Sequence, residues 1–178
     1  MKVRLFVFIV FLSLAGVQLL AQGPNTIRMG GGVNITSKIN NKFHPSFGPC
    51  IRIEYERSIV GPLCLAVNVQ NNSNHYGADE HYMDYGLGLQ VLARPQRGFF
   101  NRLIIGVGTG INYSEKHHLD GWNSYLNFDF GPVLKFNFIN SDKFEWGAFV
   151  HPKFYYFTDE KAVRCGYVNV GTTFGINF

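Results

Sequence analysis

The chain has 178 residues, with sixteen Lys and Arg against twelve Asp and Glu and a formal net charge of +4. Only 16% of its residues are charged, while 17 Phe, 9 Tyr and 20 Gly make it rich in aromatics and glycine. No Lys/Arg run or basic stripe is present, which excludes an electrostatic nucleic-acid binder, and the aromatic-rich, charge-poor balance favours strands over helices.

The first segment, "MKVRLFVFIVFLSLAGVQLLAQG", places Lys2 and Arg4 before an apolar run that ends at Ala21. A basic start, an apolar middle and a small residue before a polar stretch define an expected secretory signal peptide over 1–22, cut after Ala21 or one residue later. What remains, 23–178, is 156 residues and suits one domain. Without Lys2 and Arg4 the balance is fourteen basic to twelve acidic residues, a net of +2. No apolar stretch after Ala21 approaches the roughly 18 residues of a membrane helix. Cys50, Cys64 and Cys165 are an odd set for an exported chain, and a Cys50–Cys165 bridge is one conceivable pairing.

Period two then recurs to the last residue, broken by turn chemistry. The expected strands are 26–35, 47–59, 63–70, 82–93, 100–113, 124–139, 144–157 and 163–178. Short connections, "VGP", "RPQRG" and "NSDK", follow the second, fourth and sixth strands. Longer polar segments follow the odd ones, so 36–46, 71–81 and 114–123 are expected loops. Eight strands in this alternation read as an all-β, antiparallel, up-and-down barrel.

Counting decides which face points outward. The greasy face carries 37 large apolar residues, such as Leu126, Phe128, Phe130, Leu134, Phe136 and Phe138 on the sixth strand. A packed eight-stranded barrel holds about a dozen side chains, so the greasy face must meet something apolar outside. The opposite face holds glycines and two balanced sets of charges. Arg28, Arg52, Arg102, Lys135 and Lys153 stand against Glu54, Glu56, Asp84, Asp129 and Glu145. Buried charges persist when paired, so the expectation is an ion-paired plug and not an open pore. Ten residues at about 3.3 Å each, tilted near 40–45°, cross the roughly 25 Å apolar band of an outer membrane. Expected interface belts comprise Phe99, Phe100, Phe138, Phe144, Trp146 and Phe178 at the short-turn end, and Tyr113, Trp122, Tyr125, Tyr156 and Phe157 at the other.

With its basic-apolar leader, eight alternating strands, short turns and closing "GYVNVGTTFGINF", the chain resembles the small outer-membrane β-barrel family of Gram-negative bacteria, of the OmpA-barrel and OmpX-like type. The resemblance is architectural and covers the whole mature chain. It implies an outer-membrane location with periplasmic termini, a monomer surrounded by outer-membrane lipid, and no cofactor. It also implies insertion by the barrel-assembly machinery, which reads the final aromatic strand; that role falls on Phe174, Ile176 and Phe178, with the signal at the very terminus.

The remaining candidates lie towards the loops. His44, His75, His81, His117 and His118 cluster there beside acidic residues. A metal or haem-capturing rim built on His75, His81, His117 and His118 is therefore weighed against hydrated loops with no ligand. Ser73 and His75, with Asp79 or Glu80 as the orienting acid, could form an acyl hydrolase at the outer rim. The likeness is to outer-membrane lipid A deacylases, whose motif has His before Ser, the reverse of the order here. His151 reads as a satisfied interior residue. No Walker loop, Rossmann fingerprint or H-E-x-x-H occurs, and the expectation is a protein that is not an enzyme. A secreted lipocalin-like barrel shares the strand count but requires the facing inverted.

Overall fold

A computed structural model describes residues 25–38, 46–76, 80–95, 99–118, 121–157 and 166–178. Eight strands, β1 (Asn25–Lys38), β2 (Ser46–Val60), β3 (Leu63–Tyr76), β4 (Glu80–Ala93), β5 (Leu103–His118), β6 (Gly121–Asn140), β7 (Phe144–Phe157) and β8 (Gly166–Asn177), follow one another around a closed barrel. Each pairs antiparallel with its neighbours in sequence, and β8 closes on β1. The seam runs from Thr26↔Asn177 to Lys38↔Gly166. Reciprocal backbone bonds of 3.0 Å between Asn25 and Phe178 lock its end. Closure leaves no sheet edge unpaired, which is what an apolar solvent demands of a sheet.

The turns at one end are tight for local reasons. Between β2 and β3, Gly61 takes φ 53°, a left-handed conformation that costs glycine nothing, and Pro62 follows. Between β6 and β7, the Ser141 hydroxyl donates to the Phe144 carbonyl at 2.9 Å, and the Phe144 amide donates to Ser141 Oγ at 3.1 Å. Ahead of β5, Phe99–Arg102 winds into a 3₁₀ turn.

The facing is as the count required. Thirty large apolar side chains are exposed among the described residues, Phe47, Met29, Ile51, Val107 and Phe130 among them. Arg28, Arg52, Glu54, Glu56, Asp84, Asp129, Lys135, Glu145 and Lys153 are buried. An apolar cavity of lipocalin type has no room in this interior, so that alternative fails on the facing itself. Glycines make the narrow interior feasible. A Cβ on Gly86 would lie 2.2 Å from Asn112 Oδ1, and one on Gly88 would lie 2.7 Å from Asn68 Nδ2.

Several boundaries differ from the sequence expectation. The segments 71–81 and 114–123 are largely strand, because β3 runs on to Tyr76, β4 begins at Glu80, β5 reaches His118 and β6 begins at Gly121. Alternation persists there with polar residues on both faces. Asn72 and Asn74 are buried, while Ser73 and His75 point out, so hydropathy alone hides the continuation. The expected signal peptide, His44, Asp79 and Cys165 lie outside the described residues. Cys50 and Cys64 are buried and free.

Candidate functional site

From the short-turn end upward, the interior is built in layers. On the β3–β6 side it is apolar: Cys64, Ala66, Leu92, Ile104 and Val133 form one buried cluster. Beside this cluster lies the first ionic layer. Arg28 of β1 donates from Nη1 to Glu56 of β2 at 2.5 Å and from Nη2 to Glu145 of β7 at 2.6 Å. Glu54 accepts from Arg52 beside it on β2 and from Lys135 of β6, with Arg28 Nη1 at 3.3 Å. Arg94, just past β4, reaches Glu145 and lies 3.8 Å from Glu56. Five separate segments are therefore tied by one set of charge-assisted bonds. The gap enclosed by Arg28, Gly30, Arg52, Glu54, Lys135, Phe149 and Thr173 is too small to admit a water molecule.

A second layer follows. Lys153 donates to Asp129 at 2.6 Å, and Asn112 Nδ2 donates to the same carboxylate oxygen at 2.5 Å. Asp84 accepts from Tyr155 Oη at 2.5 Å and from the Ser114 hydroxyl. His151 Nδ1 lies 3.3 Å from Arg52 Nη1 and links the two layers. Towards the long-loop end the interior turns neutral. Asn74 donates to Asn34 at 2.7 Å, Asn34 donates to Asn169 at 2.5 Å, and Tyr155 and Tyr167 meet edge to face.

Nine of the ten residues expected in the interior ion set are buried there. Arg102 is not. It is exposed at the end of the 3₁₀ turn, because β5 starts only at Leu103 and the alternation that would have pointed Arg102 inward has not begun. Arg94, read from sequence as part of a turn, replaces it. Its parity continues that of Gln90 and Leu92, the signal that could have identified it. With Arg94 the interior set is again five cations and five carboxylates.

Phe174, Ile176 and Phe178 point outward and are exposed. Phe174 stacks on Phe144 at 6.2 Å, and Phe138 meets Trp146 at 5.2 Å, so aromatics gather on β6, β7 and β8 at the short-turn end. At the other end Tyr85 and Tyr113 are exposed side by side in register. Tyr125 departs from the expected belt: it lies at inward parity opposite Ser114 and is half-buried. The side chains of Phe99, Trp122, Tyr156 and Phe157 lie outside the description.

At the rim, Ser73 Oγ sits 2.8 Å from Nε2 of His81 and not beside His75, its expected partner. His75 and His81 ring centroids are 4.3 Å apart, and those of His81 and His117 are 5.8 Å apart. The side chains of His118 and Glu80 are outside the description. As the side chains stand, no group of three or more His, Cys, Asp or Glu among the described residues is set to hold a metal ion.

A closed eight-stranded meander with charges inside and hydrocarbon outside is the architecture of the small outer-membrane barrels. Among solved structures the chain is similar to Neisserial surface protein A (NspA), with a TM-score of 0.63 at 10% identity, covering 88% of this chain and 100% of that one. It is also similar to Ail, the attachment invasion locus protein of Yersinia pestis, with a TM-score of 0.56 at 12% identity, covering 88% and 99%. A major outer membrane protein from Thermus thermophilus follows, with a TM-score of 0.50 at 11% identity, covering 88% and 100%. At these identities the likeness is one of fold. The chain matches no protein-family model and no curated protein sequence.

Proposed function

We propose that the chain is a monomeric outer-membrane barrel whose interior is sealed, with a structural or surface-interaction role at its long-loop end. One observation carries this reading: thirty large apolar side chains are exposed on the outside while five cations and five carboxylates meet within. A water-soluble protein rarely exposes contiguous apolar surface beyond a few hundred Å², whereas lipid requires it. The similarity in fold to outer-membrane proteins supports the same location. In this reading the short turns and both termini face the periplasm. Outer-membrane lipid is the constant partner, and no cofactor takes part.

The final strand then has two tasks. Phe174, Ile176 and Phe178 face lipid, and together they present the aromatic pattern that the barrel-assembly machinery would engage. The backbone of the same strand completes the seam with β1.

The test is direct. The mature chain, refolded in detergent, is expected to migrate faster on a gel before boiling than after. In planar bilayers it should show no stable conductance. Nitroxides at Leu126, Phe128 and Phe130 should be reached by oxygen and shielded from a water-soluble nickel relaxant. A polypeptide that stays monodisperse without amphiphile, or labels reached only from water, would overturn the reading.

A further inference from the structure

Three histidines stand in one row across three consecutive strands, outside the interior network and beyond the apolar belt. Register places His75 of β3 opposite His81 of β4, and His81 opposite His117 of β5. All three share outward parity, two rows beyond the exposed pair Tyr85 and Tyr113. Directly opposed residues of an antiparallel pair hold their Cβ atoms about 4.5–5.5 Å apart, and strands lie about 4.8 Å apart. Adjacent rings of the row are therefore neighbours, while the outer two strands lie about 9.6 Å apart, so His75 and His117 must both lean over His81 to share one ion.

We propose that His75, His81 and His117 form a three-histidine site for a divalent transition-metal ion of the zinc type. The sealed-barrel reading does not need this site. Imidazole suits zinc, copper and nickel, and three imidazoles at about 2.0–2.1 Å leave a fourth tetrahedral position for water or another small ligand.

Ser73 supplies the support that such a site needs. A ligating imidazole commonly uses its second nitrogen to hold an outer partner, which fixes ring and tautomer. With the His81 Nε2 proton donated to Ser73 Oγ across 2.8 Å, Nδ1 keeps the lone pair that a metal takes. In the present side-chain arrangement the donors do not converge. Binding requires rotations about χ1 and χ2 of rings that now stand 4.3 and 5.8 Å apart. His75 is exposed and His81 and His117 partly so, which leaves room on the outer side for such rotations.

The test uses the untagged mature chain refolded in detergent, with zinc chloride as the probe at pH 7.5. Calorimetry should give one ion per chain. Zinc should shift the ring resonances of His75, His81 and His117 in the unmodified protein. His81→Ala should weaken binding at least tenfold and His75→Ala and His117→Ala comparably, while Ser73→Ala should weaken it about tenfold through lost orientation. His44→Ala and His118→Ala should leave the affinity unchanged. Every variant must keep heat-modifiable migration, and where His81→Ala does not, His81→Gln takes its place. No saturable binding, wild-type affinity in the His81 variant, or ring shifts confined to other histidines each overturns the assignment. A barrel that remains heat-modifiable while zinc fails loses the metal site alone.

Discussion

The residue that most depends on its neighbours is Glu54. It is buried and accepts from Arg52 and Lys135, with Arg28 close by. A buried ion pair adds little net stability over an apolar substitute, but removing one partner strands the others without compensation, at about 3–5 kcal/mol. Glu54→Gln keeps the shape and removes the charge against three cations. It should lower the unfolding free energy in lipid vesicles by about that amount, read from the urea midpoint. Glu115→Gln, on the partly exposed outward row, should change it by less than about 1 kcal/mol. Equal effects at the two positions would mean that the interior charges are solvated and the ion pairs are incidental.

At the scale of the element, the seam between β1 and β8 sets the tightest constraint. A Cβ on Gly32 would lie 2.1 Å from the Val170 carbonyl oxygen and 2.5 Å from the Gly171 Cα, both backbone atoms that cannot move without opening the seam. A Cβ on Gly31, one residue away and facing outward, would meet nothing closer than 3.9 Å. Gly32→Ala should therefore cost about 1–3 kcal/mol as overpacking and reduce the heat-modifiable fraction after refolding, while Gly31→Ala should refold like the parent. The same strands show what could be read without coordinates. Parity fixed the facing of Arg28, Arg52 and Phe174 because the contrast between greasy and polar neighbours is strong there. It failed at Arg102 because a 3₁₀ turn delays the strand, and it fell silent from Asn71 to Tyr76, where both faces are polar. Contacts between strands, such as Ser73 with His81 or Arg94 with Glu145, depend on register, and a single strand's sequence carries no register.

For the whole molecule, the decisive question is where the hydrocarbon lies along the barrel. The outward residues of β5 are apolar or small from Leu103 to Tyr113 and then turn to Glu115 and His117. Ten steps of about 3.4 Å on a strand tilted near 40° span roughly 26 Å along the barrel axis, close to the 25 Å band of an outer membrane. Val107 lies near the middle of this stretch, while Ser124, opposite Glu115, lies beyond its upper edge. An arginine on the lipid face costs about 2–4 kcal/mol at the midplane and about 0–1 near an interface. Val107→Arg should therefore lose about 2–4 kcal/mol in urea unfolding from lipid vesicles, and Ser124→Arg should lose almost nothing. Lipids with shorter chains should narrow the difference as the interface moves towards Val107. Equal losses at the two positions, unaffected by lipid length, would place both outside any bilayer and remove the physical ground for a transmembrane barrel.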